Sequence, residues 1–327
     1  MSLTSLVKRI LPLACAYYLA AGWARRRRLR SGIIRTRSGN RHAALDVEAS
    51  LAYIEGVWRD YLAWADRPAL TGDLVEIGPG DNFGVALLFL AHGARSVIAI
   101  DKFESERDPA RQDAIYRALG ERHGLAALFD GAPGEAAIRN LTYLPGMPAE
   151  RFFGPDAPAS DAVISRAVLE HLDDPLAALD AMWAGLRPGG ILLHRIDLRD
   201  HGMFAGAHPL SFLTIGTGLY RAMTAETGWP NRILLPAYRD FLARRGWPAR
   251  TGITRLAGVA GEFPALAWDD LPAAARQQAL ACVRKIRPRL AAPFRDLADE
   301  DLAVSGFVLV AEKPPACGPG QGFLFIP

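Results

Sequence analysis

Between residues 45 and 65 the apolar positions Leu51, Ile54, Trp58, Tyr61, Leu62 and Ala65 recur at a 3.6-residue period, and Pro68 and Gly72 follow. This predicts an amphipathic helix with its stop signals. Beyond it the pattern alternates. Residues 74–77 form a short apolar run of the kind a buried strand needs, 82–92 read as helix, and 96–100 as a second strand ending at Asp101. A helix rich in Arg and Glu follows at 109–123, a third strand at 141–144 and a fourth at 161–165. A proline-opened helix at 175–186 and a fifth strand at 191–196 complete the series. Alternating β and α segments with short connections predict a parallel, doubly wound α/β sheet, whose ligands bind at the carboxyl ends of the strands.

The alternation lapses after residue 199. Residues 199–236 hold His201, Gly202, Met203, Phe204, His208, Pro209 and several glycines, and read as an irregular insertion. A helix near 238–245, a weak strand near Ile253, a helix at 272–286 and a last strand at 306–310 follow. These patterns divide the chain into a basic arm (1–41), an N-terminal helix (42–70), a core (71–200), an acceptor lid (201–250) and a C-terminal part (251–327).

The arm has its own pattern. Leu3, Leu6, Val7, Ile10 and Ala14 recur at helical spacing with Lys8 and Arg9 alongside, and residues 10–24 carry no charge. Fifteen residues make a helix of about 22 Å, short of the roughly 30 Å hydrocarbon core. Trp23 precedes four consecutive arginines, Arg25 to Arg28. The expectation is a helix lying in a membrane interface, with a tilted span, a signal peptide and a helix packed on the domain as alternatives. The arginine run opposes export.

A chain of 327 residues has room for about two average domains, or one elaborated α/β domain. Half its residues are apolar and 22% charged, which excludes disordered and collagen-like classes. The net charge of +3 hides an asymmetry. Ten of the 38 basic residues lie in the first 41 positions with no acid among them, leaving 28 against all 35 acids, a net −7, in the remainder. An acidic body argues against a nucleic-acid partner. Cys15, Cys282 and Cys317 fit no disulfide or zinc pattern, so a reducing, cytoplasmic compartment is expected, peripheral to a membrane through residues 1–31.

Glu76-Ile77-Gly78-Pro79-Gly80-Asp81-Asn82 sits where the first strand turns into a helix. Glycines let the backbone approach a ligand there, and the helix amino end offers free N–H groups. Asp101 ends the second strand, placed to accept hydrogen bonds from both ribose hydroxyls. A nucleoside ligand is implied. NAD would favour G-x-G-x-x-G, but Gly84 comes one residue too late. Glu76 is awkward beside a pyrophosphate and comfortable beside an amino acid's ammonium group, which favours S-adenosylmethionine.

These residues resemble class I S-adenosylmethionine-dependent methyltransferases over about residues 72–200. Glu76 to Gly80 is similar to the family's first motif, Asp101 to its ribose-binding acid, and Ser165-Arg166-Ala167-Val168-Leu169-Glu170-His171 to the segment after strand four. Leu186-Arg187-Pro188-Gly189-Gly190 resembles the turn before strand five. The resemblance implies a Rossmann-like, mostly parallel seven-stranded sheet with an antiparallel last strand and, here, an N-terminal helical extension. It implies cofactor contacts from Glu76, Gly78, Pro79, Gly80, Asp101, Lys102, Ser165 and Arg166. The acid often found after strand three has no clean equivalent, and Met147 and Pro148 stand where the adenine would pack.

An alcohol acceptor needs a base or a metal, whereas an amine needs little beyond alignment. His171 is the first candidate base, with Glu170 as its orienting partner; Asp197 and His201, after strand five, are the others. Asp197, Asp200, His201 and His208 are a chance-level metal pattern, and no metal is expected. His194, inside a strand, reads as a buried hydrogen-bonded residue. The LRDHG segment with Asn231, Arg232 and Tyr238 is weakly similar to bacterial glycan and envelope methyltransferases, so a small-molecule, sugar or lipid-linked hydroxyl is the expected acceptor. An NAD-dependent oxidoreductase and a non-catalytic S-adenosylmethionine-binding protein are the alternatives.

Overall fold

The structure is a computed structural model that describes residues 6–32, 34–36, 39–204 and 206–316; Leu3, Arg37 and Cys317 lie outside them. Seven strands form one sheet: β1 (Gly72–Ile77), β2 (Ala94–Asp101), β3 (Leu141–Pro145), β4 (Ser160–Arg166), β5 (Leu186–Asp197), β6 (Ala249–Leu256) and β7 (Val304–Glu312). Their spatial order is β3-β2-β1-β4-β5-β7-β6. Strands β1 to β5 pair in parallel, while β7 runs antiparallel to both β5 and β6. This is the expected Rossmann-like sheet. Reversal of order at β1 leaves a crevice at the carboxyl ends of β1 and β4.

The main helices are α1 (Leu11–Leu29), α2 (Val47–Ala65), α3 (Gly84–Ala91), α4 (Pro109–His123), α5 (Pro175–Gly185), α6 (Thr217–Thr224), α7 (Leu235–Arg245) and α8 (Ala273–Ile286). Helix α2 forms because Asp46 caps it, accepting from the Ala49 N–H at 2.7 Å, and ends where Asp66 turns left-handed at φ 53°. Its Leu51, Ile54, Val57, Tyr61 and Ala65 are buried with α3 and α4 on one face of the sheet. Helices α1, α5, α7 and α8 and the 199–236 segment cover the other face. Alternation along β1 serves both layers, Leu74 facing one and Val75 and Ile77 the other.

Strand β5 begins five residues earlier than its apolar run predicts, because the Arg187-Pro188-Gly189-Gly190 turn is absorbed into the strand across a register shift at Ser160 and Ala162. The 199–236 segment is more ordered than its composition suggests. It contains α6, and Phe204, Phe212 and Tyr220 are buried in the core.

Helix α1 packs on α6 through Ala14, Cys15, Tyr18 and Gly22; of the stripe the sequence marks out, Ala14 joins this contact while Leu6 and Ile10 are exposed. The Tyr18 ring meets Phe204 and Trp229 edge-on, at 6.0 and 4.7 Å between centroids. A side chain at Gly22 would come within 2.7 Å of the Met223 carbonyl. The Arg26 guanidinium donates to the carbonyls of Ala222 and Ala225, 3.2 Å each, at the end of α6. Among the described residues, no helix is long and apolar enough to cross a membrane.

Candidate active site

A cavity of about 550 Å³ opens at the carboxyl ends of β1, β2, β4 and β5. Its floor is the turn between β1 and α3. Gly78 and Gly80 hold φ of 72° and 73°, where a side chain is strained, and a Cβ on Gly78 would lie 2.5 Å from a Val168 methyl. The Gly78 N–H donates to Ile100 O at 2.8 Å, tying the turn to β2.

Glu76 is buried beneath this turn, and its Oε2 has no hydrogen-bond partner among the described residues. Burial pushes its pKa up to about 8. A cavity-lining orphan carboxylate fits the ammonium group of an amino acid. Asp101 also lines the cavity, and accepts one bond from the Phe103 N–H at 3.2 Å. Burial pushes it up to about 6, against that hydrogen bond and the nearby Arg107 charge. Its remaining acceptor positions suit two hydroxyl donors. The residues present fit S-adenosylmethionine.

A strap from the arm closes over the glycine turn, which motif spacing did not reveal. The Gly39 carbonyl lies 3.0 Å from where a Cβ of Gly80 would be. The main-chain N–H groups of His42 and Ala43 donate to the buried Asp81 carboxylate at 3.3 and 3.1 Å. Asn40 donates to Glu106 O at 2.6 Å. Arg107 sits between the rings of Phe83 and Tyr143, at 4.4 and 4.3 Å, and donates to Gly80 O at 3.0 Å. Tyr53 and Tyr61 of α2 also line the cavity.

Of the other expected cofactor residues, Pro79, Lys102 and Arg166 line the cavity, whereas Ser165 and Met147 are not in its wall. Ser165 is fully buried and bonded to His194 Nδ1 at 2.8 Å, so His194 is the hydrogen-bonded core residue its position in a strand suggests. The Met147 side chain packs against the core, and Ala149 takes the wall position.

On the acceptor side, His171 and His201 face each other edge-on with ring centroids 4.7 Å apart, and both line the cavity. Burial, and next the neighbouring His201, hold the His171 pKa down at about 3, so its ring stays neutral at physiological pH. His201 is part-exposed, in a left-handed conformation at φ 50° that His tolerates better than most residues. Its Nε2 lies 3.6 Å from Glu170 Oε1, 4.0 Å from Asp197 Oδ1 and 3.3 Å from Asp197 O. Asp197 itself is not in the wall. Burial works to raise its pKa, but the Arg199 side chain, 2.8 Å from Oδ1, brings it below the ordinary value.

Glu170 is buried with neither carboxylate oxygen hydrogen-bonded among the described residues, and burial raises its pKa well above the ordinary value. The Asn231 side chain clamps this segment, donating to Leu169 O and Leu172 O at 2.9 Å each, and the Asn231 N–H donates to Glu170 O at 2.6 Å. His208 points elsewhere, to Cys282 O at 3.0 Å. Glu170, His171 and His201 are instead the group among the described residues whose ligand atoms all lie within 4.8 Å, a spacing that could hold a cation.

The sheet order, the strained glycine turn under an unpaired carboxylate and the acid ending β2 together define a class I S-adenosylmethionine-dependent methyltransferase. Residues 50–247 match a family model described as a methyltransferase domain, and the chain belongs to that family. No curated protein matches the chain.

Solved structures similar to it include phosphoethanolamine N-methyltransferase 2 of Haemonchus contortus, at 15% identity and a TM-score of 0.42, covering 80% of this chain and 52% of that one. This chain therefore spans about half the length of the Haemonchus enzyme. YcgJ of Bacillus subtilis is similar at 11% identity and a TM-score of 0.40, covering 81% of this chain and 98% of that one. The [4+2]-cyclase SpnF is similar at 17% and 0.37, covering 82% of each chain. The chain carries a methyltransferase domain of this class, with a cavity whose residues fit S-adenosylmethionine.

Proposed function

We propose that the enzyme methylates a hydroxyl oxygen on a small, sugar or lipid-linked acceptor, with His201 as the base. The observation that carries this is the pairing of a part-exposed His201 with a neutral, buried His171 in the cavity wall, and with the carboxylates of Glu170 and Asp197 at 3.6 and 4.0 Å. When bound, S-adenosylmethionine supplies an electrophilic methyl group on a sulfonium. Glu76 would hold its ammonium group and Asp101 its ribose. His201 takes the acceptor's proton at a ring nitrogen, and the Asp197 carboxylate stabilises the imidazolium that results. His171 stays neutral and fixes the orientation of the His201 ring.

Calorimetry and turnover on His201→Ala and His201→Gln test this. Turnover should fall by about 10²–10⁴-fold with S-adenosylmethionine affinity unchanged, and activity of the parent enzyme should survive EDTA. Wild-type turnover in both variants would remove His201 from the reaction, and loss of parental activity in EDTA would give Glu170, His171 and His201 to a metal. Extracts incubated with enzyme and cofactor, followed by mass spectrometry for a methyl gain, would identify the acceptor.

The reading includes a place of action at an anionic membrane surface. The exposed large apolar side chains among the described residues are Leu6, Ile10, Leu13, Tyr17, Leu19, Trp23 and Leu219, all on the α1 side of the molecule or the adjoining α6. Arg9, Arg27, Arg28 and Arg30 are exposed beside them, with no acid anywhere in residues 6–32. An apolar face edged with arginine suits anionic lipid. Sedimentation with phosphatidylglycerol vesicles should carry the full chain down, and Leu13→Ser with Trp23→Ser should leave it in solution. Equal recovery with neutral phosphatidylcholine vesicles, or self-association through the same face, would overturn this location.

A further inference from the structure

Arg25 lies on the inner face of α1, at helical spacing from the buried Ala14, Tyr18 and Gly22, and its side chain lines the cavity. Of the other cations that line the cavity, Arg41 is exposed, with its guanidinium 5.1 Å from the centre of the Tyr53 ring, and the remaining three are paired with acids. Arg166 donates to Asp60 at 2.8 Å, Arg195 meets Glu262 at 2.6 Å, and Lys102 lies 3.5 Å from Asp173. Arg25 has no ion pair or hydrogen bond among the described residues, and its Nε is buried without a partner. Its guanidinium rests 4.5 Å from the centre of the Phe103 ring and 6.0 Å from that of Trp229, while Lys102 Nζ lies 5.9 Å from the Phe103 ring. Both cations therefore lie against one aromatic ring, and of the two only Lys102 has an ion pair among the described residues.

Phe103 and Gly228 continue this wall toward the histidine pair; a Cβ on Gly228 would lie 2.4 Å from Phe103. Arg25 is close enough to His171 for its charge to disfavour protonation of that ring. Glu76 and Asp101, two of the cavity's carboxylates, serve the cofactor end, and Asp81 is taken by the strap. A partly desolvated guanidinium left without an anion is satisfied by one arriving with the ligand. We infer that Arg25, with Lys102 against the same Phe103 ring, binds an oxyanion on the methyl acceptor, a phosphate ester or a carboxylate, and holds that acceptor with its reacting atom toward His201. Arg25 lies outside the residues 50–247 matched by the family, so this contact belongs to the arm. The inference rests on the cavity being the acceptor site, and does not require that the acceptor atom be oxygen.

Full-length protein saturated with S-adenosylhomocysteine is titrated with sn-glycerol 3-phosphate, with succinate, and with dihexanoylphosphatidic acid below its micelle concentration. At least one anion should bind, and Arg25→Gln should weaken it by about 10–100-fold, the effect of losing a hydrogen bond to a charged group. Arg25→Lys, which keeps the charge without the fork, should fall between. S-adenosylhomocysteine affinity and thermal midpoint should match the parent. Binding of glycerol phosphate or succinate marks a free acceptor, and binding of the lipid alone marks a headgroup. Equal anion affinity in parent and Arg25→Gln, no binding of any of the three, or a loss confined to S-adenosylhomocysteine would each overturn the assignment. Arg25-dependent binding in an enzyme that never methylates oxygen would leave this inference standing and remove the O-methylation reading.

Discussion

The two ends of the cavity are built in opposite ways. The cofactor end comes from one contiguous turn, residues 76–82, and the last residue of the next strand, Asp101. The acceptor end is gathered from Arg25, Phe103, His171, His201 and Gly228, residues on five separate segments of the chain. Local geometry fixes the first, so single substitutions there should act directly on ligand affinity. Long-range packing fixes the second, so substitutions should act on turnover and stability while the cofactor still binds.

The sharpest break in that contrast would come from Asp101→Ala. Two hydrogen bonds to a charged acceptor at about 1.5–3 kcal/mol each imply a fall of about 100-fold or more in S-adenosylmethionine affinity by calorimetry. An unchanged affinity would mean that the ribose is held elsewhere.

Acidity offers a second, graded probe. In the cofactor-free protein Glu76 is protonated below about 8, yet pairing with an ammonium group needs the carboxylate. Cofactor affinity should therefore rise by up to about tenfold per pH unit as pH climbs toward 8, with a proton released on binding, and then level off. The sign for stability is the reverse. A folded-state pKa above the ordinary 4.5 means that the folded form binds the extra proton, so this contribution to the stability of the free protein is full below 4.5 and is lost as pH rises through 8. Glu76→Gln should flatten both profiles.

Smaller effects should come from the acceptor end. Asn231→Ala releases the clamp on Leu169 and Leu172, and about a tenfold loss of turnover with cofactor affinity intact is expected from misplacement of His171. Tyr220→Phe removes a buried bond to Pro230 O and should lower stability by about 1 kcal/mol in denaturant titration while leaving cofactor affinity alone.

The same contrast governs what could be foreseen. Strands β1 to β4 fall within a residue or two of their apolar runs, and Glu76, Gly78, Gly80 and Asp101 sit together because a strand, a turn and a strand end are local features. The strap at Gly39 to Ala43 and the place of Arg25 escape such reading, since each depends on where a segment lands on another 40 to 200 residues away. The signal for α1 is subtle: Ala14, Cys15 and Gly22 are small residues that, with Tyr18, mark a face made for close helix contact, whereas Leu6 and Ile10 mark the face turned out. Ser165, picked out by resemblance, has its hydroxyl engaged behind the wall by His194, a pairing across two strands that sequence spacing does not show.

Helix α1 supplies Arg25 from outside the domain shared with the family. Specificity that resides in an appended segment can change without disturbing the inherited catalyst, much as a handle can be exchanged on a common blade. Descent with a different arm would give an enzyme with the same cofactor chemistry and another diet, so sorting related chains by their catalytic domains alone would group together proteins that act on unlike molecules.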